Sequence, residues 1–540
     1  MARRPRILMM VVTLLIVAAA CSSGNGGGGS TGPGGTGASG TGQQGGTFKF
    51  PLSADPTKLI PQNDYEASGA QVFNAIFTRL MTYDPDTNAP VPAQAKSVTS
   101  DDQMVWTIEI QPGWTFHNGE PVTAQSYVDA WNWGALGSNG AILNFFFEKI
   151  QGYDELNPAK GDATTKELSG LKVVNDTTFT VTLTEPFSQF PIELGFDAFD
   201  PLPKAFFDDP EAYNEKPIGD GPYMLTEWKH DQNIVLERYP DYQGTPGYAD
   251  RIELPIYSST DASWADFQAG NIDISFVGSS NFVDAQQNYP DSLTEQPSSL
   301  FLYLGLPLYD PRFQNKELRQ ALSLAVDRQA VMNAVLVAET PADAFTAPVV
   351  PGYQAGSCTY CTYDPALAKQ KLAAAGGWQG TMTINLYSND ATLEQAMEAI
   401  GNQWKQNLGI DFELNVMNYN SYYDTTINHK FTGPWWDGWV MDYPSLEDYL
   451  RPIYGSTGGY NGSGYKNPAF DSLLTQGDQA DSIDASIAKY QQAADIVAED
   501  MPVIPWGFLP ARYVHQPTVT NVHKDGPLDN LELADIQVVQ

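Results

Sequence analysis

Alternating helical and strand patterning along the second half of this 540-residue chain predicts an α/β fold spread over two or three domains. Two further observations support that expectation. The length exceeds what a single hydrophobic core usually serves. An aromatic share of 12% beside only 17% charged residues is a globular composition, not a disordered one. The balance of 29 basic against 64 acidic residues, a net charge of -35, excludes nucleic acid as a partner because phosphates would be repelled.

At the N-terminus, Arg3, Arg4 and Arg6 precede an apolar run from Ile7 to Ala20. That run is too short for a bilayer crossing, which takes about 20 residues, and it reads as a secretory signal. Its end, Val17-Ala18-Ala19-Ala20-Cys21, resembles the lipobox of bacterial lipoproteins, with Ala18 where Leu is usual. That resemblance makes Cys21 the lipidated first residue of the mature chain and implies an anchor on the outer face of the cell membrane. Residues 21–46 carry thirteen glycines and no charge, so they are expected to form a flexible tether reaching roughly 25–30 Å. Loss of the three signal arginines leaves 26 basic against 64 acidic residues, or -38.

The body starts at Thr47-Phe48-Lys49-Phe50. Apolar spacing predicts a helix over residues 72–80, closed by Tyr83-Asp84-Pro85. Trp106, Ile108 and Ile110 alternate as a strand does, Thr123 can cap a following helix, and Phe179, Val181 and Leu183 alternate again. Residues 72–200 thus read as a small α+β unit. Pro217-Ile218-Gly219-Asp220-Gly221-Pro222 permits sharp turns, and it lacks the Lys-Ser/Thr of a phosphate loop. Strands follow at Tyr223 to Trp228 and Asn233 to Arg238; a short helix at Trp264 to Gly270 then leads to a strand at Ile272 to Val277. Leu318, Ala321, Leu322 and Ala325 mark a buried helical face. Asp364 caps a helix with Pro365 in its first turn and Gly376 at its end. Leu393, Met397, Ile400 and Trp404 form another stripe, ending at Gly409 before the strand Ile410 to Val416. A last helix, Ile483 to Glu499, leads into Val503-Ile504-Pro505-Trp506. These stripes are core, and none asks for a cofactor.

Cys358 and Cys361 form the remaining cysteine pair. A C-x-x-C in the cytosol suggests redox or zinc chemistry. In an exported chain with no second C-x-x-C and five scattered histidines, a structural disulfide is expected instead.

One stretch concentrates chemistry: Trp435-Trp436-Asp437-Gly438-Trp439-Val440-Met441-Asp442-Tyr443-Pro444-Ser445. Aromatics around Asp442 desolvate it, and a desolvated carboxylate needs a cation or several N–H donors. No Lys or Arg occurs between Lys430 and Arg451, which leaves a ligand ammonium as the candidate partner. The plainer alternative is that Asp442 caps the next helix, expected at Leu446 to Leu450.

Five motifs stand in a recognisable order: Gly113-Trp114-Thr115-Phe116-His117-Asn118-Gly119-Glu120-Pro121-Val122, Pro217 to Tyr223, Leu318-Arg319-Gln320-Ala321-Leu322-Ser323-Leu324-Ala325-Val326-Asp327-Arg328, Tyr363-Asp364-Pro365, and Gly438-Trp439 with Asp442-Tyr443-Pro444. In that order the chain resembles the bacterial extracellular solute-binding proteins of the oligopeptide and dipeptide transport class, family 5, over nearly all of residues 47–540. The resemblance implies a two-lobed periplasmic-binding-protein-like fold with the ligand cleft between the lobes. Lobe I would take residues 47–71, 201–304 and 506–540, with 72–200 as an extra subdomain, and lobe II residues 305–505. Crossings near Ser299 to Leu306 and Val503 to Leu509 would be the hinges. It further implies a monomeric binder, not an enzyme, that needs no cofactor or metal and hands peptides to an ABC transporter permease. Asp442 would pair with the peptide amino group, the backbone near Trp439 and Val440 with the peptide main chain, and Tyr419 would wall a side-chain pocket, unless it is ordinary core. Thr426 stands near where some relatives carry Arg, so no clamp for the peptide's C-terminus is assigned. Relatives of this fold that carry nickel complexes, haem or sugars supply the competing ligands. A secreted glycoside hydrolase using Asp437 and Asp442 is a remote alternative; residues 47–540 hold no G-x-S-x-G or H-E-x-x-H.

Overall fold

A computed structural model describes residues 44–85, 87–335, 339–387, 391–526 and 528–539. The signal, Cys21 and all but the end of the tether lie outside the described residues.

The first sheet is built from distant pieces of chain. Thr47–Lys49 pairs in parallel with Arg251–Pro255, which is followed across the sheet by Asn233–Arg238 and Tyr223–Lys229. Alternate residues of these strands bury Phe48, Leu225, Leu236 and Ile252 against Val72 and Phe73 of the helix Ala67–Ile76. That helix lies five residues earlier than its spacing predicts and stops at Ile76. The Pro217–Pro222 segment crosses its end: Gly221 N–H donates to the Ile76 carbonyl at 2.8 Å, and the Thr78 N–H donates to the buried Asp220 carboxylate at 3.0 Å. A Cβ on Gly219 would lie 1.8 Å from the Ile76 oxygen, and one on Gly221 2.5 Å from the Ile76 carbonyl carbon. Both glycines are therefore required for backbone-to-backbone approach.

Residues 95–182 supply a second four-stranded sheet, ordered Ala95–Thr99, Val105–Ile110, Thr178–Thr182, Leu171–Asn175. Thr123 and Ser126 form a capping box at the head of the helix Ala124–Ala135, as the sequence predicts for Thr123. Tyr127 and Trp131 of that helix pack on Phe179 with ring centroids 5.7 and 5.4 Å apart.

The largest sheet has six strands, in the order Thr340–Pro341, Val503–Phe508, Phe301–Gly305, Trp435–Trp439, Met382–Tyr387, Phe412–Met417. Phe301–Gly305 and Val503–Phe508 are buried at every residue, because both faces of the sheet are covered at this point. The helices Lys316–Leu324, Pro365–Ala374 and Ala391–Leu408 contribute to the core on one side. Arg328, fully enclosed, ties that layer together: it donates to the carbonyls of Pro505 at 2.7 Å and Cys361 at 2.8 Å and to Ser323 Oγ at 2.7 Å. A disulfide joins Cys358 to Cys361 in the same loop.

Met382–Tyr387 touches Trp435–Trp439 through one residue pair, Asn385 with Trp435. Beyond Trp435, that flank of the strand has no partner strand among the described residues.

Candidate functional site

The open flank borders a cavity of about 1870 Å³, lined by residues drawn from segments 50–53, 63–71, 140–144, 419–429, 436–442 and 456–464, among others. Sites for single small molecules run to roughly 300–1,000 Å³, so this space suits something longer.

Asp442 sits at the end of the strand stretch, 7% exposed. Its two carboxylate oxygens accept from one hydroxyl, that of Tyr65, at 3.0 and 2.9 Å. The Asp442 N–H in turn donates to Asp448 Oδ2 at 3.0 Å, and the Trp439 indole N–H donates to the same oxygen at 3.2 Å. Two buried acids thus stand side by side, and among the described residues no Lys, Arg or His forms an ion pair with either. Burial pushes the Asp442 carboxyl up to about 7 against the pull of the Tyr65 hydroxyl, and Asp197 adds to the rise. Asp448 is driven up as well, by burial and by Asp442.

Asp442 does not cap a helix. The next helix is Glu447–Tyr454, and Ser445 Oγ accepts from the Glu447 N–H at 3.1 Å.

Trp439 is buried with its ring against Tyr460, while Val440 is exposed to the cavity. Tyr419 is 57% exposed and lines the cavity, so it is not core. It opens the helix Tyr419–Ile427, which the sequence patterning does not predict and which Asn418 caps by accepting from the Ser421 N–H at 3.0 Å. Tyr422 and Tyr423 of that helix also line the cavity, as does Tyr387, whose centroid is 5.1 Å from that of Tyr419. A tyrosine repeat at positions 419, 422 and 423 was the available signal for that wall. Tyr65 had none, being 377 residues from the acid it contacts.

The cavity is acidic. Asp64, Glu66, Asp197, Asp437, Asp442 and Asp529 line it, against Lys58, Arg79 and Lys466. Arg79 is held by Asp197 at 2.8 Å and Asp525 at 3.1 Å. Among the described residues no group of His, Cys, Asp and Glu is arranged to hold a metal ion, and no helix is long and apolar enough to cross a membrane.

A cavity of this size, bordered by a strand flank with no partner strand and lined by an acid without a cation among the described residues, suits the capture of a solute. The chain belongs to the bacterial extracellular solute-binding proteins, family 5, whose model matches residues 89–461. Members of that family are binders and not enzymes, which removes the glycosidase alternative. The periplasmic oligopeptide-binding protein OppA of Escherichia coli is 27% identical over 90% of this chain and 91% of its own length. Heme-binding protein A of Haemophilus influenzae is 26% identical over 85% of each. The structure of Haemophilus influenzae OppA in complex with RPPGFSPFR superposes with a TM-score of 0.77 at 21% identity, covering 92% of this chain and 99% of that one. The fold is accordingly the two-lobed α/β fold of periplasmic binding proteins.

Proposed function

We propose that this protein is the peptide-binding lipoprotein of an ABC importer. Its body would close over an extended peptide and deliver it to membrane permease subunits. The observation that carries the reading is Asp442: a buried carboxylate in the cavity wall, satisfied by a neutral hydroxyl and by no cation among the described residues. A peptide's α-ammonium supplies the missing charge. The flank of Trp435–Trp439 beyond Trp436, whose carbonyl accepts from the Tyr422 hydroxyl, continues through Val440 and offers main-chain groups to the peptide backbone, which gives affinity without reading side chains. Tyr419 contributes to the wall of a side-chain pocket.

Lobe I is taken as residues 47–71, 201–304 and 506–540 with the subdomain 72–200, and lobe II as 305–505. The paired strands Phe301–Gly305 and Val503–Phe508 then carry the two crossings, and closure turns on them. Cys21 provides the lipid anchor, residues 22–46 the tether, and the body works as a monomer outside the cytoplasm.

Native mass spectrometry of the protein purified without refolding from cells grown in rich medium tests this reading. A set of bound masses that fragment as short peptides is the expected result. A protein that arrives empty and ignores a peptide library, yet binds haem, a nickel complex or a sugar, overturns it.

A further inference from the structure

Asp437 lies five residues before Asp442 and lines the same cavity. It stands directly across the sheet from Tyr303, and its Oδ1 accepts from the Gly438 N–H at 2.9 Å. That donor carries no charge. No Lys, Arg or His forms an ion pair with Asp437 among the described residues.

The acid shares the cavity wall with tyrosines. Tyr387, Tyr419 and Tyr422 line the same cavity. Tyr387 meets Tyr419 and Tyr422 edge to face at 5.1 and 5.0 Å, and Tyr423 stacks on Tyr419 at 6.2 Å, leaving both Tyr419 and Tyr423 open to the cavity. None of the protein's own cations lies over these rings among the described residues. A carboxylate set among tyrosine faces is the environment a desolvated ammonium or guanidinium prefers, because the ring quadrupole and the acid attract the same charge.

The spacing fits one ligand. Strand residues advance about 3.3 Å each, so the two acids lie up to roughly 17 Å apart along the chain. An extended peptide crosses that distance in about five residues, and a long side chain shortens the requirement.

Resting on the peptide reading above, we infer that Asp437 and its tyrosine wall bind the basic side chain of a Lys or Arg three to five residues from the amino terminus held at Asp442. Side-chain selectivity therefore enters at one point of a groove that otherwise reads main chain.

Calorimetry with hexapeptide pairs tests the inference: lysine against norleucine, which matches its stem without the charge, placed in turn at positions two to six of an alanine-based sequence. The unmodified protein should favour lysine by about tenfold at one of positions three to five, with less than about threefold discrimination at two and six. In Asp437→Asn the preference should fall to within about threefold, and a melting transition like that of the unmodified protein reports an intact fold. The wild-type scan is decisive even if that variant fails to fold. Peptides that bind without a lysine preference at positions three to five, or a preference that survives in Asp437→Asn, overturn the inference and leave the peptide reading standing. If no peptide of the set binds the wild-type protein, the peptide reading itself fails and the inference falls with it.

Discussion

Asp442 and Asp448 show why an acid pair without a base is informative. A buried carboxylate is costly when ionised, and a like charge beside it raises the cost again. Tyr65 lowers that cost by hydrogen bonding but brings no charge. A ligand ammonium would neutralise Asp442, and removing one partner of such a buried pair costs about 3–5 kcal/mol. Asp442→Asn should therefore weaken peptide binding by that amount in calorimetry, with little change in thermal stability of the ligand-free protein. An unchanged affinity would exclude the acid from the site. At this scale the sequence was half legible. Asp442 was visible because aromatics surround it and bases are missing nearby. Tyr65 was not, since it reaches the acid only through the tertiary fold. Asp448 was equally hidden, because its position is that of an ordinary first-turn acid of the helix Glu447–Tyr454.

Among elements, the strands and capped helices were the most legible. Tyr223 to Lys229 and Asn233 to Arg238 fall where alternation predicts, and Asp364 caps its helix by accepting from the N–H groups of Ala366 and Leu367. The helix at Ala67–Ile76 was misplaced because its stop comes from a segment some 140 residues away, which no local period can report. Tyr419–Ile427 was missed because Tyr422 alone of its residues is buried in a core, while Tyr419, Tyr423 and Ile427 stay exposed, so they form no conventional buried stripe. The packing at the first of these helices makes a direct prediction. Gly221→Ala places a methyl group against backbone that cannot move aside, and should cost about 1–3 kcal/mol in urea denaturation. Gly459→Ala, which meets nothing within 4 Å, should cost under about 0.5 kcal/mol.

Across the whole molecule, the buried acids set a common pH response. Burial raises Asp442, Asp220, Glu193 and Glu339 to about 7 and Asp437 to about 6. The unfolded chain releases the same protons near pH 4. Between those limits the folded state binds more protons, so stability falls as pH rises through the window. His523, lifted to about 9 by Asp535, adds stability that is present below about pH 6.5 and lost through 9. His117, pushed down to about 4 by burial, opposes both, because the unfolded chain protonates it near 6.5. The acids outnumber it, and the ligand-free protein should melt at a higher temperature at about pH 5 than at about pH 8. Amine binding should follow the reverse course: it needs Asp442 ionised against its burial and the charges of Asp197 and Asp448, with the Tyr65 hydroxyl favouring the carboxylate. Affinity for a peptide should climb toward about pH 7 and fall again above about pH 8, where the peptide's α-amino group loses its proton. A flat affinity profile would separate ligand capture from that carboxylate.

The unpaired flank of Trp435–Trp439 has one more consequence. Free strand edges invite other chains to pair with them, and proteins ordinarily blunt them with charge or proline. This one borders the cavity, whose lining also includes Val440, Tyr419, Tyr422 and Tyr423. Placement of that edge against a cleft would keep it from pairing with a second copy of the chain.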